Sequence, residues 1–216
     1  MTGLVLHNYF RSSTSIRLRA ALNLKGLSYD YAAHHLRKGE QRDAAYLAIN
    51  PQGLVPSLVL EDGTVLTQSL AIIEYLDETH PNPPLLPKSA LDRARVRALA
   101  QAIALDIHPV NNLRVLAYLR SAFGAGEEAI SAWFRHWVAE TFAPLEAMLV
   151  VDARTGRFCH GDAPGLADLC IYAQVMNNGR FGVDMSSYPT LSRIFEACAM
   201  LPAFAAAAPD KQPDAE

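Results

Sequence analysis

The first eighty residues of the chain combine two kinds of hydrophobic spacing. Short apolar runs predict four strands, over residues 4–9, 29–34, 57–60 and 64–67. Helical spacing or composition predicts three helices: from the Ser/Thr cluster at residues 12–15 to Gly26, near residues 40–47, and over residues 69–80. Ser69 is expected to cap the last of these helices.

The order of these elements predicts the class of the N-terminal fold. A strand–helix–strand unit has parallel strands, whereas a hairpin adds antiparallel ones. The Asp62-Gly63 pair is a hairpin signal between the last two strands. The pattern therefore predicts a small mixed sheet flanked by helices, an α/β thioredoxin-like arrangement. The alternative, the start of a doubly wound domain, is disfavoured by the hairpin.

Strand signals nearly vanish after residue 89, and four prolines between residues 81 and 87 indicate a linker. Helices are predicted over residues 91–123, 127–150 and 165–178, and between the Tyr188-Pro189 and Leu201-Pro202 pairs. Pro109 should interrupt the first because proline removes a helix hydrogen bond, and the polar tail after Pro209 should be loose. The predicted organisation is a thioredoxin-like domain over 1–82, a linker over 83–90 and an all-α helical domain over 91–216.

Composition and charge exclude several classes of function for this chain. Half of the 216 residues are hydrophobic, 19% are charged and the formal net charge is −3, so no global charge favours nucleic acid or a membrane as a partner. No apolar run reaches the length of a membrane span, and the N-terminus lacks the pattern of a signal peptide. Cys159, Cys170 and Cys198 are far apart, which argues against a disulfide framework or metal site. A cytoplasmic protein with buried cysteines is expected.

Several segments together resemble one known family. They are residues 10–19 (FRSSTSIRLR), 50–58 (NPQGLVPSL), 66–76 (LTQSLAIIEYL), 106–112 (DIHPVNN) and the Tyr188-Pro189 pair. Over residues 4 to 205 the chain resembles the zeta class of the glutathione transferase superfamily, and within it the maleylpyruvate and maleylacetoacetate isomerases. Thr14 stands where the common signature has cysteine, and Arg114 where many maleylacetoacetate isomerases have a small polar residue. Both features favour maleylpyruvate, with the larger substrate left open.

The resemblance implies glutathione as cofactor, a homodimer, and a thiolate site at the start of the first helix. The glutathione thiol has a pKa near ~8.5, and a helix N-terminus stabilises a nearby anion. Ser12 is expected to contact the thiolate, with support from Ser13 and Thr14. The other residues expected to hold glutathione are Gln52, Val55 and Pro56 (through a cis peptide bond), Gln68, Ser69, His108 and Asn112.

The implied substrate is a small dicarboxylate keto acid, so the pocket needs positive charge. Arg11, Arg114 and Arg180 are the candidates, because arginine suits bidentate carboxylate binding. Arg17 and Arg19 are expected to be solvated or salt-bridged. His108 and Asn112 are four residues apart and should share one helix face.

Residues 161–168 (GDAPGLAD) resemble the superfamily's capping box, with Gly165 in place of the usual Ser or Thr. Asp168 could still accept a hydrogen bond from the Gly165 N–H, which makes it a folding residue.

Other functions remain open at this point. One is a zeta-class transferase that conjugates or dehalogenates small electrophiles such as α-haloacids, although an apolar electrophile would not need three arginines. Another is a non-catalytic, transferase-like binding protein, which would predict a damaged glutathione site. A redox enzyme is disfavoured because no cysteine occupies the start of the first helix.

Overall fold

The computed structural model describes residues 3–216. The chain divides into two compact units, one formed by the residues up to Leu85 together with Met200–Glu216, the other by Leu86–Ala199. The C-terminal segment thus groups with the N-terminal unit, whereas the sequence pattern assigned all of 91–216 to the helical part.

The first unit contains a four-stranded mixed sheet in the order β2-β1-β3-β4. Its strands are β1 (Val5–Asn8), β2 (Asp30–Ala33), β3 (Ser57–Val59) and β4 (Val65–Thr67). β1 and β2 are parallel, while β1–β3 and β3–β4 are antiparallel. The predicted thioredoxin-like arrangement is confirmed, and each strand is shorter than its apolar run.

Three helices accompany this sheet: α1 (Ser13–Leu24), α2 (Ala44–Leu47) and α3 (Ser69–Thr79). Gly26 ends the α1 pattern as predicted, with φ +66°. The helix predicted near residues 40–47 is broken, because Asp43 is extended between a 3₁₀ turn over Glu40–Arg42 and the single turn of α2.

The second unit is helical, as the sequence predicts. Its helices are α4 (Ala90–Gln101), α5 (Leu113–Phe123), α6 (Glu127–Val151), α7 (Leu166–Asn178) and α8 (Pro189–Ala199). The predicted interruption at Pro109 is present, and the chain approaches it through a π-type turn over Ala102–Ile107. Residues 166–174 of α7 are all buried, which makes α7 the centre of this unit.

The C-terminal segment begins with the short helix α9 (Pro202–Ala205), which packs against α1. The prediction that the tail after Pro209 is loose is wrong. Gln212 is buried, and its side-chain amide donates to the carbonyls of Ala206 and Ala208 at 2.8 and 2.7 Å. These bonds fix the tail because they satisfy the Ala206 carbonyl at the end of α9 and add a second donor to the Ala208 carbonyl, which also accepts the Lys211 N–H.

The prediction that Arg17 and Arg19 of α1 are solvated is also wrong, since their exposed fractions are 1% and 0%. Arg19 is buried because its guanidinium donates to the carbonyls of Tyr9, Phe10 and Ala207 and to the Asn8 side chain. A buried guanidinium needs such acceptors to offset its desolvation.

Across residues 3–216, no helix combines the length and the apolar character needed to span a bilayer. The three cysteines are buried thiols that form no disulfide within residues 3–216, and burial raises the pKa of the Cys159 and Cys198 thiols. Both therefore stay protonated at neutral pH.

Asp168 ties the start of α7 to the preceding loop. Its carboxylate accepts the Gly165 N–H, as predicted, and the Cys159 N–H, each at 2.8 Å. We expect Asp168→Ala to lower the free energy of unfolding by about 2–4 kcal/mol, because the buried Cys159 N–H and the half-buried Gly165 N–H lose their acceptor. Urea denaturation measures this loss. Asp162→Ala, which removes an exposed carboxylate with one backbone donor, should cost under about 1 kcal/mol; equal losses would contradict the assignment.

Candidate functional site

Three segments of the first unit meet at one edge of the sheet. His7 near the end of β1 pairs with Ser57 at the start of β3, and Ser57 pairs with Thr67 at the end of β4. The segments adjoining these strand ends are the Tyr9–Ser12 loop, the Val55-Pro56 pair and the start of α3. The chain therefore brings the predicted glutathione residues of this unit to a common edge.

Ser12 is the N-cap of α1. Its hydroxyl oxygen accepts the Ser15 N–H at 3.3 Å, so it meets one unpaired donor of the first turn. The same oxygen lies 2.7 Å from the Thr14 hydroxyl, which donates to the Val55 carbonyl at 3.0 Å. Ser13, also predicted to support the site, is buried in the first turn of the helix.

The direction of the hydroxyl protons follows from this network. A carbonyl can only accept, so the single Thr14 proton goes to Val55. The Ser12 hydroxyl is then the donor of the Ser12–Thr14 bond. A thiolate placed beside Ser12 could receive this proton's hydrogen bond in place of Thr14, at the positive end of the α1 dipole.

Val55 and Pro56 are joined by a cis peptide bond, as predicted. Gln68, which precedes α3, has φ +68°, a conformation uncommon for a residue other than glycine. Its side-chain amide donates to the Gln52 side chain at 3.3 Å, which brings these two predicted residues together.

Ser69 is buried and is the first residue of α3, not its cap. The cap position belongs to Gln68, whose side chain makes no capping bond. The expectation that Ser69 caps α3 is therefore wrong, because the chain enters the helix through the positive φ of Gln68. Ser69 still lies in the first turn, where backbone N–H groups have no partner within the helix.

The remaining predicted glutathione residues lie in the second unit. His108 follows the π-type turn and Asn112 is the N-cap of α5, where its side-chain oxygen Oδ1 accepts the Arg114 N–H at 3.1 Å. The two do not share one helix face, because the helix is broken between them. Their side chains are nevertheless adjacent, with 3.4 Å between Asn112 Nδ2 and His108 Nε2.

The three predicted substrate arginines are distributed over both units. The Arg11 guanidinium lies over the Phe10 ring, 4.8 Å from its centroid. Arg114 is exposed in the first turn of α5, and Arg180 is exposed in a 3₁₀ turn after α7, where it donates to the Asn177 side chain at 3.2 Å. Convergence of these arginines on one substrate stays a prediction.

Comparisons with known proteins fit this geometry. The family model for the N-terminal domain of glutathione S-transferase matches residues 11–79. Maleylpyruvate isomerase from a Ralstonia species is 51% identical over 97% of this chain and 98% of its own. The holo structure of a maleylpyruvate isomerase, described as a bacterial zeta-class glutathione S-transferase, superposes with a TM-score of 0.95 at 50% identity, covering 98% of this chain and 99% of that one. The chain belongs to the zeta-class glutathione transferase family.

The structure of a third zeta-class relative contains bound ligands. Maleylacetoacetate isomerase from Anaeromyxobacter dehalogenans 2CP-1, solved with dicarboxyethyl glutathione and citrate in its active site, is 46% identical to this chain. The match covers 99% of this chain and 97% of the other, with a TM-score of 0.87.

Two residues that hold the Val55 loop of this zeta-class chain were not among the predicted site residues. The Tyr46 hydroxyl donates to the Leu54 carbonyl at 2.6 Å, and the Asn50 side-chain amide donates to the same carbonyl at 2.8 Å. Asn50 also reaches the Ser57 hydroxyl at 3.1 Å. Asn50 is the first residue of the NPQGLVPSL segment, so this motif indicated that Asn50 has a role. No feature of the sequence indicated a role for Tyr46.

Proposed function

We propose that this chain is a glutathione-dependent enzyme that isomerises a maleyl-keto acid from cis to trans. The observation that carries the proposal is the hydroxyl-capped N-terminus of α1 hydrogen-bonded to the Val55 loop. It supports a thiolate site, and the isomerase relatives at about half identity over their full length support the reaction.

The thiolate begins the reaction. Backbone N–H groups of α1 and the Ser12 hydroxyl stabilise the anionic sulfur, which favours deprotonation near neutral pH. The sulfur adds to one carbon of the cis double bond, and the π electrons move through the conjugated carbonyl to give an enolate. Rotation about the new single bond and return of the electrons then expel the thiolate. The trans product forms and glutathione is regenerated.

The substrate is a dianion and becomes more negative at the carbonyl oxygen during addition. Arg11, Arg114 and Arg180 are proposed to bind the two carboxylates and the enolate oxygen. In this scheme the first unit binds glutathione and the helical unit supplies most of the substrate contacts. The dicarboxyethyl glutathione in the Anaeromyxobacter relative supports the chemistry, because that ligand is a glutathione thioether of a dicarboxylate.

A direct assay tests the function. Maleylpyruvate and maleylacetoacetate should each be converted to the trans isomer only when glutathione is present, with S-methylglutathione, which has no thiol, as the inactive control. The ratio of kcat/KM for the two substrates decides which keto acid is preferred. Equal conversion with S-methylglutathione would overturn the thiolate mechanism.

We further propose a homodimer, located in the cytoplasm, where reduced glutathione is available. A groove of about 510 Å³ lies between the π-type turn and α6. Leu105 and Met148 line it with exposed fractions of 59% and 51%. Burial of such apolar side chains would favour association.

The chain mass is 23.6 kDa, so light scattering at micromolar concentration should report roughly twice that mass. Leu105→Glu should shift the protein toward the monomer, because dimerisation would bury a charge. Leu91→Glu, at a more exposed apolar position near the start of α4, should leave the mass unchanged. A monomeric parent protein would contradict the proposal.

A further inference from the structure

The C-terminal tail makes two hydrogen bonds through one carboxylate. Asp214 accepts the backbone N–H of Phe10 at 3.1 Å with Oδ2, and the Tyr31 hydroxyl at 2.5 Å with Oδ1. Phe10 belongs to the Tyr9–Ser12 loop, and Tyr31 is in β2. A residue two positions before the chain end is thus bonded to the loop that carries Arg11 and Ser12.

The rest of this loop is fixed by backbone bonds of the same unit. The Tyr9 carbonyl accepts the Ser12 N–H at 3.1 Å, and the Phe10 carbonyl accepts Arg19 Nη2 at 2.8 Å. Arg19 also donates to Ala207 in the C-terminal segment, at 3.2 Å from Nε and 2.9 Å from Nη2. The loop and the C-terminal segment are therefore joined twice, through Arg19 and through Asp214.

We infer that Asp214 is a positioning residue, which holds the Tyr9–Ser12 loop so that Ser12 and Arg11 face the bound ligands. The inference rests on the proposed function of Ser12. Asp214 is assigned no contact with glutathione or substrate, and it acts through the Phe10 amide.

The Tyr31 hydroxyl supports this role. Burial, together with the hydrogen bond to Asp214, raises the pKa of Tyr31. Tyr31 therefore remains a protonated donor throughout the working pH range, and it fixes the carboxylate from the side of the sheet. The carboxylate has one fixed donor on each oxygen, which defines its position relative to the loop.

Charge and position predict opposite effects on the bound glutathione thiol. Removing a negative charge near a thiolate lowers the thiol pKa, because the anion is repelled less. Displacing Ser12 raises the thiol pKa, because the thiolate loses a charge-assisted hydrogen bond. The direction of the change therefore distinguishes a positioning role from a purely electrostatic one.

The experiment measures the pKa of enzyme-bound glutathione from the ultraviolet absorbance of the thiolate, together with kcat and KM. Asp214→Ala should raise this pKa by about 1, and should lower kcat about 10-fold with a smaller change in the KM for glutathione. Asp214→Asn keeps an oxygen acceptor for the Phe10 N–H without the charge, so the thiol pKa should stay at or below that of the parent. Asp210→Ala, which removes an exposed carboxylate paired only with Lys211 within residues 3–216, should match the parent.

Each outcome decides between the alternatives. A lowered thiol pKa in both Asp214 variants, or kinetics in Asp214→Ala equal to the parent, would overturn the positioning role. A variant that ends at Pro213 removes the same carboxylate by another change and should reproduce Asp214→Ala. If Asp214→Ala does not fold, the variant that ends at Pro213 carries the test: a raised thiol pKa there supports the positioning role, and a lowered or unchanged thiol pKa overturns it. A parent protein that binds no glutathione would instead refute the proposed function.

Discussion

Ser12→Ala should lower kcat by about 10- to 100-fold at saturating glutathione, while the KM for glutathione changes little. The hydroxyl now donates to Thr14 and is the donor proposed for the thiolate. A hydrogen bond to a charged group contributes about 1.5–3 kcal/mol, and about 1.4 kcal/mol corresponds to a tenfold change in rate. The loss should appear mainly in kcat because the hydroxyl contacts the sulfur and not the rest of the tripeptide.

Thr14→Val is the matched control for this experiment. Valine keeps the shape of threonine but removes the hydroxyl that donates to Val55. Since the Ser12 hydroxyl remains available to the thiolate, the loss in kcat should be several-fold smaller than in Ser12→Ala. A larger loss in Thr14→Val would assign the thiolate contact to Thr14 instead.

Arg114→Gln and Arg180→Gln should each weaken transition-state binding of a dianionic keto acid by about 2 kcal/mol or more, which is about 30-fold in kcat/KM. Each variant leaves a substrate charge without its partner. The exposure of both arginines places the expected loss at the lower end of the range for ion pairs, because water screens an exposed pair.

Two controls separate a substrate role from a general effect of charge. Arg120→Gln removes an arginine from the same helix, α5, where it forms an exposed ion pair with Glu127; it should change kcat/KM by less than about twofold. A neutral electrophile assayed on Arg114→Gln and Arg180→Gln should lose far less than the dianion. Equal losses for both substrates would contradict the assignment of these arginines to an isomerase pocket. The assignment of the glutathione site would be unaffected.

The N-terminal fold follows from local patterns in the sequence. Short apolar runs and the Asp62-Gly63 turn predict the strands, and Gly26 marks the end of α1. These signals predict the elements correctly because the conformation of each element depends mainly on residues close to it in the sequence. The break at Asp43 was missed because a segment of only eight residues can form either one helix or two short turns with similar local energies.

Long-range contacts account for the other errors. Arginine is usually exposed, so nothing local to Arg19 reveals that carbonyls from residues 9, 10 and 207 surround it. Asp214 and Phe10 are separated by 204 positions in the chain. A polar tail with proline has the composition of a loose terminus, and its order comes from the bonds of the Gln212 amide and from the Phe10 N–H and Tyr31 hydroxyl that Asp214 accepts.

The candidate site likewise has a part that local sequence patterns predict and a part that they do not. The motif segments place Ser12, Val55 and Gln68 at one sheet edge, because each adjoins the end of a predicted strand. The relation between His108 and Asn112 was misjudged since the period of a continuous helix does not hold across the break at Pro109.

The fate of glutathione tests the central claim most directly. Parent enzyme is incubated with a large excess of maleylpyruvate over glutathione, and the products are followed by mass spectrometry and NMR. The isomerase mechanism predicts many turnovers per glutathione molecule, one trans keto acid for each cis molecule lost, and recovery of all glutathione as the free thiol. Conversion that stops after one equivalent of glutathione, with a stable thioether accumulating, would contradict it and identify a conjugating transferase.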